Sequence, residues 1–306
     1  MQGEDLLSES QNRRAVTITF DDLPTISITR QDLTHQREIT NKLLAAITAN
    51  KIPAIGFVNE KKLYPDGRLD QQRVTLLDQW LECGLELGNH TFSHPDLHQT
   101  PLDYYKADVI RGETMIAELL QRKGMKLRYF RHPFLHTGTD LKTRRDFEAF
   151  LTGRGYRVAP GTIGNTDWIF AAAYAKAAAR GDQDMVRSIA NAYILSTENE
   201  FVYAENQSLA LFGYEIKQIL MLHANALNAD HLGAVADMLK RRGYSFISLD
   251  EALTDEAYRS PDTYTGPRGI SWLHRWALTV RKPAAFFSGE PVPPEFVMKE
   301  AGVRME

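Results

Sequence analysis

Short apolar runs alternate with longer amphipathic stretches seven or eight times between residues 15 and 253, at a spacing of roughly 30–40 residues. Strands that are each followed by a helix build parallel βαβ units, and a closed or nearly closed barrel is the natural solution at this length, since such barrels run to about 250 residues. The first run, 15–20, places Val16, Ile18 and Phe20 on one face and reads as a buried strand. Further strands are expected at 54–58, 85–88, 127–130, 156–159, 217–222 and 246–249. Helices are expected at 33–50, 72–83, 102–123, 141–151, 169–195 with a break at Gly181-Asp182, 229–242 and 250–253. Residues 1–14 are polar and read as a loose arm. The barrel domain is expected over 15–256, and a Pro- and Gly-rich extension over 257–306 carries Trp272 and Trp276 on one helical face. That extension is expected to pack on the barrel's outer surface.

In a parallel α/β fold, chemistry gathers at the C-terminal ends of the strands. The first strand delivers Asp21 and Asp22, the third His90-Thr91-Phe92-Ser93-His94, the fourth Arg131-His132-Pro133-Phe134. A later segment brings Asn165-Thr166-Asp167-Trp168, and the strong apolar strand at 217–222 ends at His223. Taken alone, an Asp pair after a strand is more often an Asx turn, and an Arg more often a surface ion pair. Together they suggest more. Two adjacent carboxylates repel unless their roles are separated, as when one binds a cation and the other stays free as a base. An H-x-x-x-H pair with one carboxylate is a three-ligand set that leaves a position open, and Asp22 can complete it. His98 is read as a loop histidine, His35, His231 and His274 as helix-surface or interface residues, and Asn228 as the cap of the helix after His223.

The segments T-F-D-D-L-P, H-T-F-S-H, R-H-P-F, T-D-W and L-H, in this order, resemble the five motifs of the polysaccharide deacetylases, the NodB-homology group of carbohydrate esterase family 4. They span Thr19 to His223. The resemblance implies a distorted (β/α)7–8 barrel holding one divalent metal, usually zinc, with cobalt or nickel also suited to such ligands. It implies Asp22, His90 and His94 as metal ligands, Asp21 as general base and His223 as general acid. Arg131 would pair with Asp21 and hold it ionised, and Asp167 would keep His223 protonated. Trp168 and Leu222 would wall the acyl pocket, and the Phe134 backbone N–H would help hold the oxyanion. The implied reaction removes an N-acetyl group from an amino sugar in a poly- or oligosaccharide. O-acetyl, formamide or ureide substrates of related hydrolases, and a non-catalytic glycan-binding module, are the competing readings. The chain departs from the family pattern at Leu23, Leu135 and Gly164, and Leu23 and Leu135 are expected to reshape the cleft.

Composition excludes several classes. The 306 residues carry a net charge of −3, unlike a basic nucleic-acid footprint. No apolar run reaches the ~20 residues needed to span a bilayer. The lone Cys83 permits no internal disulfide and reads as a small core residue. The polar start has no apolar leader segment, so the expectation is a cytoplasmic protein or a mature exported form, and the resemblance favours export.

Overall fold

The computed structural model describes residues 14–164 and 166–303. The arm at 1–13 and Asn165 of the fourth motif lie outside them. Eight parallel strands form one sheet: β1 (Ala15–Leu23), β2 (Ile55–Val58), β3 (Glu86–Asn89), β4 (Tyr129–Phe130), β5 (Arg157–Val158), β6 (Ile163–Gly164), β7 (Gln218–His223) and β8 (Ser245–Phe246). Their order is β5-β4-β3-β2-β1-β7-β6, with β8 paired to the start of β1. This is the distorted parallel barrel expected, with β1 at its centre. Only β6 had no counterpart in the sequence reading; two residues are too short to show a period.

Helices follow the strands: α1 (Leu33–Ala49), α2 (Gln71–Glu82), α3 (Leu102–Arg111), α4 (Thr114–Arg122), α5 (Leu141–Gly153), α6 (Asp167–Ala179), α7 (Gln183–Phe212), α8 (Ala226–Arg241), α9 (Leu249–Ala252), α10 (Trp272–Thr279) and α11 (Glu295–Ala301). Several begin where a short polar side chain takes up a free backbone N–H. Asp32, Asp70, Asp140, Asp182, Asn225 and Ser271 all do so. Asn225, not Asn228, therefore caps α8. No helix among the described residues is long and apolar enough to cross a membrane.

The side-chain alternation of the strands divides the core in two. Val16, Ile18 and Phe20 of β1 and Leu220 and Leu222 of β7 face the helices, where Phe20 meets the fully buried Trp80 edge-on at 5.6 Å. Ile55, Phe57, Tyr129 and Ile219 form a second cluster on the opposite face of the strands.

Three expectations need correction. The stretch 102–123 is not one helix but α3 and α4, broken at Gly112. Helical periodicity runs across the break, but the loop carrying the paired histidines presses on it. A Cβ at Gly112 would lie 2.6 Å from the Phe92 nitrogen and the Thr91 carbonyl carbon. Cys83 is exposed and ends α2, because the amphipathic run stops one residue earlier. The helix after Gly181-Asp182 continues to Phe212 rather than residue 195.

The extension packs outside the barrel, as expected, with Trp272, Leu273 and Trp276 joining the main core. It also reaches over the strand ends, which the sequence did not reveal: residues 267–271 line the cleft described next.

Candidate active site

A cleft of about 1340 Å³ opens at the C-terminal ends of β1, β3 and β7. Regular alternation along β1 would send Asp21 into it and Asp22 away. Instead Asp22 adopts φ 69°, and the β1–β2 register shifts between Phe20 and Leu23. That local reversal brings both carboxylates to the cleft. Seven described non-glycine residues have positive φ, and five of them sit here: Asp22, Thr91, His94, Phe134 and Leu135. Such backbone is strained for residues with a Cβ and persists where surrounding contacts over-determine it.

For the histidine loop those contacts can be named. Asn89 accepts from the Thr91 N–H at 2.7 Å and donates to the Val109 carbonyl at 3.0 Å. The Thr91 hydroxyl accepts from the His94 N–H at 3.0 Å. Asp108 at the end of α3 accepts from the Ser93 N–H and hydroxyl at 2.8 and 2.7 Å, and its carbonyl accepts from the Phe92 N–H. His90 Nδ1–H donates to the Arg131 carbonyl at 2.8 Å, since a carbonyl can only accept, and this leaves Nε2 with its lone pair. One ligand atom each from Asp22, His90 and His94 lies within 4.8 Å of the other two. His94 Nε2 is 3.8 Å from an Asp22 oxygen. Burial pushes both imidazoles below the usual histidine range, so they are neutral, as ligation requires. Burial acts to raise the Asp22 carboxyl, but Lys62 and then His94 hold it well below the usual carboxylate range. This donor set fits a divalent cation.

Because Gly112 abuts the histidine loop, Gly112→Ala is expected to weaken metal binding about tenfold, the scale of outer-shell effects on ligands. A metal titration of the variant checks this. Unchanged affinity would mean the loop tolerates the shift.

Asp21 lies outside the three-ligand set. Burial raises its carboxyl to about 6 against the opposing pull of Arg131 and His223. Arg131 is fully buried, donates from Nη2 to the Thr19 hydroxyl at 2.9 Å, and holds Nη1 3.7 Å from Asp21. The expected pair thus forms, and it favours the ionised carboxylate. Without a cation beside it, however, burial outweighs that pull.

Asp21 and His223 are register partners on the adjoining strands β1 and β7, so they lie side by side at the cleft floor. His223 Nδ1–H donates to Asp167 at 2.7 Å, and Asp167 also accepts from the His223 N–H, Asn225 and Asn228. Burial works against the charged ring, but Asp167 prevails and raises it to about 9. Beside the three-ligand set the cleft therefore holds a separate carboxylate, Asp21, and a histidine, His223, that Asp167 keeps protonated.

Phe134 stands edge-on to His94 at 4.5 Å, half-exposed, and its N–H has no hydrogen bond among the described residues. Trp168, at the start of α6, is also half-exposed in the cleft. Leu222 does not wall the cleft. It is fully buried among the helices, and alternation along β7 presents Met221 and His223 instead. Leu23 likewise turns away, packing over Gly56, whereas Leu135 does line the cleft.

Lys62 went unnoticed in the sequence. It follows β2 in an unremarkable Glu-Lys-Lys run, yet its Nζ donates to the Asp22 carbonyl at 2.7 Å. His98 is a loop residue as expected, stacked on His136 at 3.8 Å, and these two with Asp96 form a second close group of metal-ligating types. His132 is buried and lines the cleft, and His274 is buried at the interface of α10 with α7.

Residues 8–147, somewhat under half of the chain, match the family model for polysaccharide deacetylases. Among solved structures, a polysaccharide deacetylase from Bacillus cereus aligns at 15% identity with a TM-score of 0.53, over 77% of this chain and 92% of that one. A pseudoenzyme of carbohydrate esterase family 4 from Bacillus anthracis aligns at 15% identity and TM-score 0.50, over 79% of this chain and 66% of that one. A variant of that pseudoenzyme with restored activity aligns at 16% identity, with the same TM-score, over 79% and 68%. These structural likenesses speak to the fold.

Proposed function

We propose, because this chain belongs to the polysaccharide deacetylases, that it is a metal-dependent hydrolase removing the N-acetyl group of an amino sugar within a poly- or oligosaccharide. The observation that carries this reading is the convergence, in one cleft, of the Asp22–His90–His94 donor set with a separate carboxylate and an Asp167-bound His223. Asp22, His90 and His94 would hold a divalent cation, with zinc the first candidate. When bound, such a cation supplies Lewis acidity and eases deprotonation of water.

The chain's own groups do the rest. Asp21 accepts the proton of the attacking water. The Phe134 N–H donates to the oxygen that becomes negative. His223, protonated on both nitrogens, gives its Nε2 proton to the leaving nitrogen as the C–N bond breaks, so the products are acetate and a free amine. An amide needs that acid more than an ester does, because an unprotonated amine leaves poorly. The strongly basic His223 therefore favours N-deacetylation over O-deacetylation. Phe134 and Trp168 offer exposed aromatic faces to sugar rings.

The test is acetate release from N-acetylglucosamine oligomers and peptidoglycan by protein loaded with zinc, cobalt or nickel. Release that stops on chelation and is absent in His90→Ala supports the reading. Silence on every acetylated glycan with metal bound would overturn it and leave a binding module.

A further inference from the structure

One wall of the cleft is built by α7 and the C-terminal extension: Glu200, Tyr203 and Gln207 from α7, His274 from α10, and Glu290 from the following loop. The Tyr203 hydroxyl and His274 Nε2 share a hydrogen bond at 2.9 Å, and His274 Nδ1 lies 3.8 Å from Glu290. Gln207 spends its amide N–H on the Phe286 carbonyl at 2.6 Å. Its Oε1 is left buried without a partner, on a residue only 5% exposed that lines the cleft. Burial, and then the like charge of Glu290, raise the Glu200 carboxyl to about 8. The same two glutamates raise the Tyr203 hydroxyl to about 12, after burial.

This corner is rich in acceptors and short of cations. Buried acceptors call for donors, and a carboxyl kept protonated by burial and a like-charged neighbour ionises when a cation comes beside it. The basic residues of the cleft stand mostly elsewhere. Lys61 and Lys62 follow β2, Arg73 lies on α2, Arg30 follows β1, and Arg268 precedes the glycine that abuts Phe134. In the strand order, β1 and β7 separate β2 from β6, the strand α7 packs against. The cleft is thus acidic towards α7 and basic towards β2.

We infer that Glu200, Glu290 and Gln207 form a subsite for a protonated primary amine, namely a sugar unit already carrying a free ammonium while an acetylated neighbour occupies the reaction centre. The inference rests on the deacetylase reading for the identity of that sugar. It makes partly deacetylated chains better ligands than fully acetylated ones.

Two measurements on the metal-loaded full chain test it. The first is calorimetric binding of fully deacetylated and fully acetylated glucosamine tetramers. The wild type is expected to favour the amine tetramer about tenfold, the scale of a charge-assisted hydrogen bond. In Glu200→Gln/Glu290→Gln, which keeps side-chain size, that ratio falls to about one, and high salt lowers it in the wild type too. Equal ratios in wild type and variant overturn the subsite. The second is the KM for acetate release from partly and fully acetylated tetramers. A lower KM for the partly deacetylated tetramer, lost in the variant, supports the inference; equal KM values in the wild type overturn it. Selective amine binding without acetate release from any substrate would keep the subsite and remove the deacetylase reading.

Discussion

On the proposed deacetylase reading, Asp21→Asn is expected to lower acetate release about 10³-fold while the bound metal remains, because proton removal from water is lost but no ligand is. The geometry makes the two effects separable. Asp22, His90 and His94 form the donor set, and Asp21 sits beside it, 4.0 Å from His90 Nε2 and 3.7 Å from Arg131. The expected result is a metal content equal to wild type with almost no turnover. Loss of metal together with activity would make Asp21 a ligand and sink its assignment as base. The substitution also leaves the fully buried Arg131 without its counter-charge, and an unpaired buried charge costs about 3–5 kcal/mol. A lower melting temperature is therefore part of the expected outcome, and metal analysis is read at a temperature where the variant remains folded.

The second large effect is expected at His223, beside Asp21 on the adjoining strand. His223→Ala removes the proton donor for the leaving nitrogen and is expected to lower the rate by about 10²–10⁴. The pH profile tests the role independently. A general base works deprotonated and a general acid works protonated. Activity therefore rises with pH as Asp21 ionises, at or below about 6 since a bound cation lowers that value further, and falls as His223 loses its proton near 9. In Asp167→Asn the imidazolium loses its counter-charge, so the falling limb moves down toward the ordinary histidine range. An alkaline limb that stays near 9 in that variant would remove His223 from the role of acid. Stability follows the same sign. His223 is raised in the folded chain, so its contribution is complete below 6.5 and is lost as pH rises through about 9.

Much of this was legible in the residues, for identifiable reasons. The period of two in β1 and the continuous apolar run of β7 mark them as strands that end on titratable residues, so both element and site could be read together. What escaped notice depends on contacts between distant segments. The break between α3 and α4 comes from Thr91 and Phe92 pressing on Gly112, which no helical period records. Leu222 and Leu23 were placed at the cleft on the family pattern, but alternation along β7 turns Leu222 toward the helices, and the reversal at Asp22 turns Leu23 the same way. The same alternation would have denied Asp22 its place, had the backbone not reversed there. Lys62, Glu200 and Gln207 carry no local signature, since only the folded arrangement gives their ends a common destination.

Gly269 lies so close to the Phe134 carbonyl that a Cβ there would overlap it at 1.6 Å, and its neighbours close the cleft from above. The residues that set the turn at Phe134 are thus held by a segment more than a hundred positions downstream. During synthesis all seven proposed catalytic and ligand side chains are joined into the chain before that segment exists. Until it docks, a nascent chain carries the chemical groups of the cleft without the wall that completes it.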